Sequence, residues 1–299
     1  MPKIGTYIPK GDIPTQDKLR MIRDAGFDFV CFGYGRFSSG DVSPEMCAKY
    51  GLEFDNIHLS GDKTNFIWGK DEIGDEICER YCKEIRECSE AGIHKGIVHV
   101  TWGKSVIPDD PSDIGFARYT KIGETAAKYG FTVAVENSIF PEHFYSVLDR
   151  FTGPEFGHCF DCGHWNAFLH DYKIIEKYSD RLVATHIHDN DGERDLHMLP
   201  FDGSADWDDI AAKFAGAEFS RKMICSEFSG PQILKKPGVS AEKLNRIFSR
   251  LKIYGTDELS ISDEEVRLYM NVPYDELMAR LYERMKKLSD MIEEKAAKL

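Results

Sequence analysis

Short apolar runs alternate with amphipathic stretches along almost the whole chain, and the alternation occurs eight times. Residues 3–9 (KIGTYIP), 27–34 (FDFVCFGY), 52–59, 96–102 (GIVHVTW), 132–137 (TVAVEN), 157–163 (GHCFDCG), 182–189 and 222–228 (KMICSEF) predict strands. Residues 16–25, 44–50, 73–91, 116–129, 142–151, 173–178, 207–214 and 274–292 predict helices. Leu19, Ile22 and Ala25 share one face of the first helix. Leu277, Leu281, Met285, Leu288 and Ile292 form a stripe on the last, which starts just after Pro273. Gly26, Gly51, Gly92 and Gly130 stand where helices should stop.

Strands rich in Val, Ile and Phe, each followed by a helix, predict a parallel sheet covered by helices. Eight such units in 299 residues predict a (β/α)8 TIM barrel as one domain, 1–299. An open doubly wound sheet would carry a glycine-rich turn after its first strand, and residues 9–14 (PKGDIP) are not one. Between the last strand and the last helix lies an insertion, about 229–272. It contains two helix-like stretches, 241–251 and 263–269, and is expected to form a lid or an oligomer contact, so a homo-oligomer stays open.

Composition narrows the partners. The formal charge is 38 − 51 = −13, which disfavours nucleic acid and anionic membranes as non-specific ligands. No basic-then-apolar start and no apolar run of membrane-spanning length is present, so a cytoplasmic location is expected. The eight cysteines fall mostly in predicted helices and strands and read as buried thiols of a reducing compartment. Cys159 and Cys162 form a lone CxxC, better explained by its place in a strand than by redox chemistry.

In such a barrel the chemistry collects at the C-terminal ends of the strands. Those ends carry His58, His99, Glu136, Asp161 with His164 just after it, His186, and Glu227. His188, Asp189, Asp195 and His197 follow the seventh strand. Six of the ten histidines lie at these positions; His94, His143, His158 and His170 read as ordinary structural residues. A glutamate after Val-Ala-Val is costly to bury alone, and carboxylates gathered at one mouth raise each other's pKa unless a cation neutralises them. The expected cofactor is one divalent metal ion, Mn²⁺, Mg²⁺, Co²⁺ or Zn²⁺. Glu136, Asp161, His186 and Glu227 offer one ligand from each of strands five to eight. A two-residue period puts His186 and His188 on the same face. His186 is preferred because the apolar run stops there, which leaves His188 at the rim. Trp68, Trp102 and Phe66 could form an apolar wall for a sugar, with core packing as the alternative. Arg36, Lys104 and Arg194 could serve a phosphate singly.

Val-Glu-Asn at 135–137, Asp-x-x-His at 161–164, His-x-x-Asp-Asn at 186–190, Asp-Leu-His at 195–197 and Glu227 after Ile-Cys-Ser carry a resemblance. Together they resemble the xylose isomerase-like barrel superfamily, which includes ketose 3-epimerases, hydroxypyruvate isomerase, inosose dehydratase and endonuclease IV. The resemblance implies that Glu136, Asp161, His186 and Glu227 hold the metal, that the two glutamates are the acid and base, and that His164 touches substrate. It also implies substrate contacts from His58, His99, His188, Asp195, His197 and Trp102. The nine-residue three-zinc site of endonuclease IV is matched as well, which makes His58, His99, His164, Asp195 and His197 candidate extra ligands.

The acidic loop at 107–113 and the acidic stretch after strand seven suit a neutral polyol better than a polyanion. The expected activity is a metal-dependent sugar isomerase or epimerase working by proton transfer through an enediolate, on a sugar or sugar phosphate. The alternatives are an endonuclease IV-like zinc phosphodiesterase and a non-catalytic sugar-binding barrel.

Overall fold

Eight strands pair in parallel in a computed structural model that describes residues 1–103, 105–230, 232–235 and 265–299. They are β1 (Lys3–Tyr7), β2 (Phe29–Gly33), β3 (Glu53–His58), β4 (Lys95–His99), β5 (Thr132–Glu136), β6 (Phe156–Asp161), β7 (Leu182–His186) and β8 (Met223–Ser226). Neighbours follow chain order from β7 back to β1, and β1 pairs with β8. A parallel bridge between Ile187 and Ser226 closes the ring, with Ile187 N–H donating to Cys225 and Glu227 N–H donating to Ile187. This is the predicted (β/α)8 barrel.

Period-two alternation sorts each strand. Val133 and Val135 of β5 belong to the large core between sheet and helices, while Ala134 faces inward with Ile97, Cys159 and Ala184. Tyr7, Phe29, Cys31 and Cys225 form another interior cluster. The interior is therefore packed and the mouth is the place left for chemistry. Helices Thr15–Ala25, Glu72–Glu90, Asp113–Tyr129, Pro141–Arg150, Trp207–Gly216 and Tyr274–Ala296 supply the outer layer. Each fully buried Leu, Ile or Phe there contributes about 1.5–3 kcal/mol. Gly26 ends the first helix at φ 111°, where an L side chain is strained, and a Cβ would also meet the Tyr282 ring at 2.9 Å.

The insertion differs from expectation. Residues 265–268 (Glu265–Leu268) are a strand, paired antiparallel with Gln232–Lys235, where a helix over 263–269 was expected. The Glu-Val-Arg-Leu sequence alternates polar and apolar, the period of a strand. The expected helix at 241–251 lies outside the described residues.

Candidate metal centre

The polar ends of β5, β6 and β7 and the residue after β8 meet at the C-terminal mouth. Ligand atoms of Glu136, Asp161, His186 and Glu227 all lie within 4.8 Å of one another. Glu136, Asp161 and His186 are fully buried, and the Glu227 side chain is 19% exposed. Local structure aims each of them. Asp161 caps the turn that follows it, accepting from His164 N–H at 2.7 Å. Asn137 clamps the same backbone, accepting from Asp161 N–H at 2.8 Å and donating to the Asp161 carbonyl at 2.9 Å. Gly163 is required by the packing: a Cβ there would lie 2.0 Å from the His188 ring.

Glu136 is the hub. His99 Nε2 lies 2.9 Å from it, His164 Nδ1 3.1 Å, His186 Nδ1 3.3 Å and His58 Nε2 3.5 Å. A second ring links Asp195 to His197 Nε2 at 3.1 Å and to His164 Nε2 at 3.3 Å. His58, His99 and Glu136 also form a ligand group, as do Glu136, Cys159 and His186, and His188, His197 and Glu227.

The histidines are held by groups that fix which nitrogen faces the mouth. His58 Nδ1 donates to the Leu59 carbonyl at 2.8 Å and His197 Nδ1 to the Glu227 carbonyl at 2.6 Å. A carbonyl only accepts, so both present Nε2. His197 keeps φ 45°, a left-handed conformation that costs a non-glycine residue about 1–3 kcal/mol and that its two polar contacts help hold.

Without a cation the charges balance through protons. Burial alone would raise Glu136, but His99 and His186 outweigh it and hold its carboxyl well below the usual range. Burial likewise opposes Glu227, yet His186 and His197 bring it to about 2. Asp195 is held low against its burial by His197 and His164. Burial works against a charged His197, and Asp195 and Glu227 still raise it to about 10. His186 and His164 are raised well above the ordinary imidazole value, against their burial, by the acidic groups around them.

The residues fit a divalent ion. Both Glu136 oxygens and His186 Nδ1 are buried without a hydrogen bond although charged neighbours lie close, so polar atoms that could ligate an ion stand together unsatisfied. Carboxylates with imidazoles are the donor set of Zn²⁺, Mn²⁺ and Co²⁺.

A cavity of about 290 Å³ lies over this cluster, lined by Tyr7, His58, His99, Trp102, Glu136, His164, Asp195, His197, Glu227 and Phe228. A neighbouring cavity of about 330 Å³ shares His99, Trp102, His164 and Asp195 and extends past Ser138 to Phe168 and Arg194. Trp102 is 53% exposed and lines both cavities.

Three expectations are corrected. His188 is fully buried, with Nε2 3.2 Å from Asp161, and is not at the rim. The bridge at Ile187 prolongs the strand past His186, so the two-residue period carries His188 inward as well. Trp68 is core: its indole donates to the Val100 carbonyl at 2.8 Å and packs on Tyr119, while Phe66 is half-buried against the same core. Arg36 is engaged by Asp41, Thr15 and the Ile8 carbonyl, and Arg194 by Asp191; Lys104 lies outside the described residues. All four histidines taken as structural lie away from the cluster's contacts. Tyr7 was missed. Its only sequence signal is a hydroxyl-bearing aromatic closing the first strand.

An eight-stranded barrel with carboxylates and imidazoles gathered at its C-terminal mouth defines a broad class of enzyme scaffolds. Within that class the chain belongs to the xylose isomerase-like TIM barrel family, whose profile matches residues 19–250. Among individual proteins, "Uncharacterized protein y4fM" of Sinorhizobium fredii is 42% identical over 74 residues, 24% of this chain. The chain spans about a quarter (24%) of that relative's length. An L-ribulose 3-epimerase structure superimposes with TM-score 0.68 at 16% identity, covering 100% of this chain and 97% of that one. The IOLI protein with a bound zinc atom superimposes with TM-score 0.64 at 14% identity, covering 98% of each chain. At these identities the likeness is one of fold. Among the described residues no helix is long and apolar enough to cross a membrane.

Proposed function

We propose that this chain is a metal-dependent sugar isomerase or epimerase. The observation that carries the reading is the four-residue group Glu136, Asp161, His186 and Glu227, one from each of four successive strand ends, beneath a cavity of about 290 Å³. That volume is near the small end of the ~300–1,000 Å³ range of ligand sites. The L-ribulose 3-epimerase likeness adds weight to a sugar as substrate.

A bound divalent ion supplies Lewis-acid polarisation of a substrate carbonyl. Glu136 and Glu227 both line the cavity and are held ionised, so either can take the proton from the carbon next to that carbonyl. The C–H electron pair moves into the new C=C bond and the carbonyl pair onto oxygen, giving an enediolate. Return of a proton to the opposite face of the same carbon gives the epimer; return to the former carbonyl carbon, with the adjacent hydroxyl passing its proton to the former carbonyl oxygen, gives the isomer. His164 and His197 lie where they can orient hydroxyls, and Trp102 can cover a C–H face. The test is a panel of ketoses and aldoses, free and phosphorylated, with the metal-loaded protein in deuterated water. Turnover with deuterium incorporated at one carbon supports the reading; binding without exchange on the whole panel leaves a sugar-binding barrel instead.

One observation favours a second reading, a zinc phosphodiesterase of the endonuclease IV type. His58 with His99, and His164 with Asp195 and His197, flank the four-residue group and could hold further ions. Cleavage of an abasic-site duplex by zinc-loaded protein would establish it, although the formal charge of −13 opposes a polyanionic substrate.

A further inference from the structure

His186 differs from His58 and His197 in what holds it. Its Nε2 meets a hydroxyl, Tyr7 Oη, at 3.2 Å, and its Nδ1 faces Glu136, Asp161 and Glu227. A hydroxyl can donate or accept, so on its own it would not decide which nitrogen carries the proton. The decision is made further down the barrel. Tyr7 Oη lies 2.6 Å from Asn56 Oδ1, and Asn56 Nδ2 lies 2.8 Å from Asp55 Oδ2. Asp55 in turn accepts from Lys95 Nζ at 2.8 Å, and Lys95 also reaches across the barrel to the Val183 carbonyl.

We propose that Lys95, Asp55, Asn56 and Tyr7 form a polarised relay that orients His186 so that Nδ1, not Nε2, binds the metal. It rests on the metal site proposed above. Each link has one direction. The Lys95 ammonium only donates, so Asp55 is its acceptor. Asp55, ion-paired with Lys95, only accepts, so the Asn56 amide must turn its NH₂ toward it and its oxygen toward Tyr7. The Tyr7 hydroxyl then spends its proton on Asn56 and is left accepting. His186 Nε2 must therefore be the donor, which leaves Nδ1, the nitrogen beside the three carboxylates, as the one that binds a metal. Asn56 and His186 are fully buried and Tyr7 is 9% exposed, which shields the middle links from solvent. Tyr7 also packs edge-on to the His186 ring, centroids 5.1 Å apart, which fixes the ring's tilt. Partners of this kind orient metal-ligating histidines, and their loss typically costs about 10–100-fold in metal affinity. Tyr7 is thus a positioning residue, and Asn56 and Asp55 set its direction.

The test uses the full chain. Zinc affinity is measured by chelator competition for wild type and Tyr7→Phe, together with the melting temperature of each after metal removal. The expected result is a loss of about 10–100-fold in affinity with a shift of at most a few degrees without metal. In parallel, ¹⁵N NMR of wild-type protein loaded with ¹¹³Cd is expected to show metal coupling at His186 Nδ1 and a slowly exchanging proton on Nε2; this measurement needs no variant to fold. Coupling at Nε2, or a Tyr7→Phe affinity within about twofold of wild type, overturns the relay and leaves the metal site standing. A wild type that binds neither zinc nor cadmium overturns the site itself and the relay with it.

Discussion

Replacing Gly163 by alanine tests whether the cluster is as tightly built as its contacts indicate. The residue does not occupy the left-handed region, so alanine is acceptable to the backbone and only space is at issue. The new Cβ would lie 2.0, 2.4 and 2.5 Å from three atoms of the His188 ring. Ordinary contact begins near 3.4 Å, so the ring must retreat by about 3.4 − 2.0 = 1.4 Å. It has nowhere to go: it is fully buried and stacks on His197 at 4.1 Å with the planes 8° apart. Overpacking of this kind costs about 1–3 kcal/mol. At about 2–4 °C per kcal/mol for a large domain, the melting temperature should fall by roughly 2–12 °C. Because His188 Nε2 lies 3.2 Å from Asp161, the shift should also disturb the ligand set and weaken metal binding by about tenfold or more. Gly216→Ala is the control, since its Cβ would meet nothing within 4 Å. Differential scanning calorimetry and chelator competition read both effects. A Gly163→Ala protein that matches wild type in both would refute the packing argument.

Other outcomes follow from the same geometry. Glu136→Gln removes the hub carboxylate and should lower turnover by at least about 10²–10⁴-fold; near-normal activity on a verified substrate would remove the mechanism. Metal-free protein should show a stability maximum set by this cluster. Glu227, held near 2 against an ordinary 4.5, contributes above 4.5 and loses its contribution as pH falls through about 2. His197, held near 10 against 6.5, contributes below 6.5 and loses its contribution as pH rises through about 10. Metal binding displaces imidazole protons, so the stabilisation that metal adds should grow from about pH 6 to pH 8; thermal melts with and without zinc check the sign. Trp102→Ala removes an exposed ring from the mouth, so KM should rise several-fold with the melting temperature unchanged; an equal fall in stability would make it a packing residue instead.

The barrel was legible because its strands are buried on both faces and read as apolar runs, with glycines such as Gly26 and Gly130 closing helices in the left-handed conformation. The gathering of Glu136, Asp161, His186 and Glu227 at one mouth was legible because a buried carboxylate or imidazole at the end of such a run has no cheap structural explanation. Tyr7 and Asn56 were not, since their partners lie 179 and 49 residues away and either side chain alone is unremarkable in a strand. His188 was misplaced for a related reason. Its burial depends on a bridge between β7's extension and β8, a tertiary contact that the apolar run ending at His186 does not announce. The strand at Glu265–Leu268 was lost to an ambiguity of short amphipathic segments, whose fate is decided by the partner strand Gln232–Lys235.

The most direct test of the central claim is the metal content of protein purified without added metal or chelator, with Glu136→Gln in parallel. The account predicts about one divalent ion per wild-type chain, largely lost in the variant because Glu136 is shared by the ligand group. No bound ion, and none taken up on dialysis against Mn²⁺, Co²⁺ or Zn²⁺, would contradict it. Three zincs per chain would contradict the one-ion sugar site in a different way and move the assignment to phosphodiester cleavage.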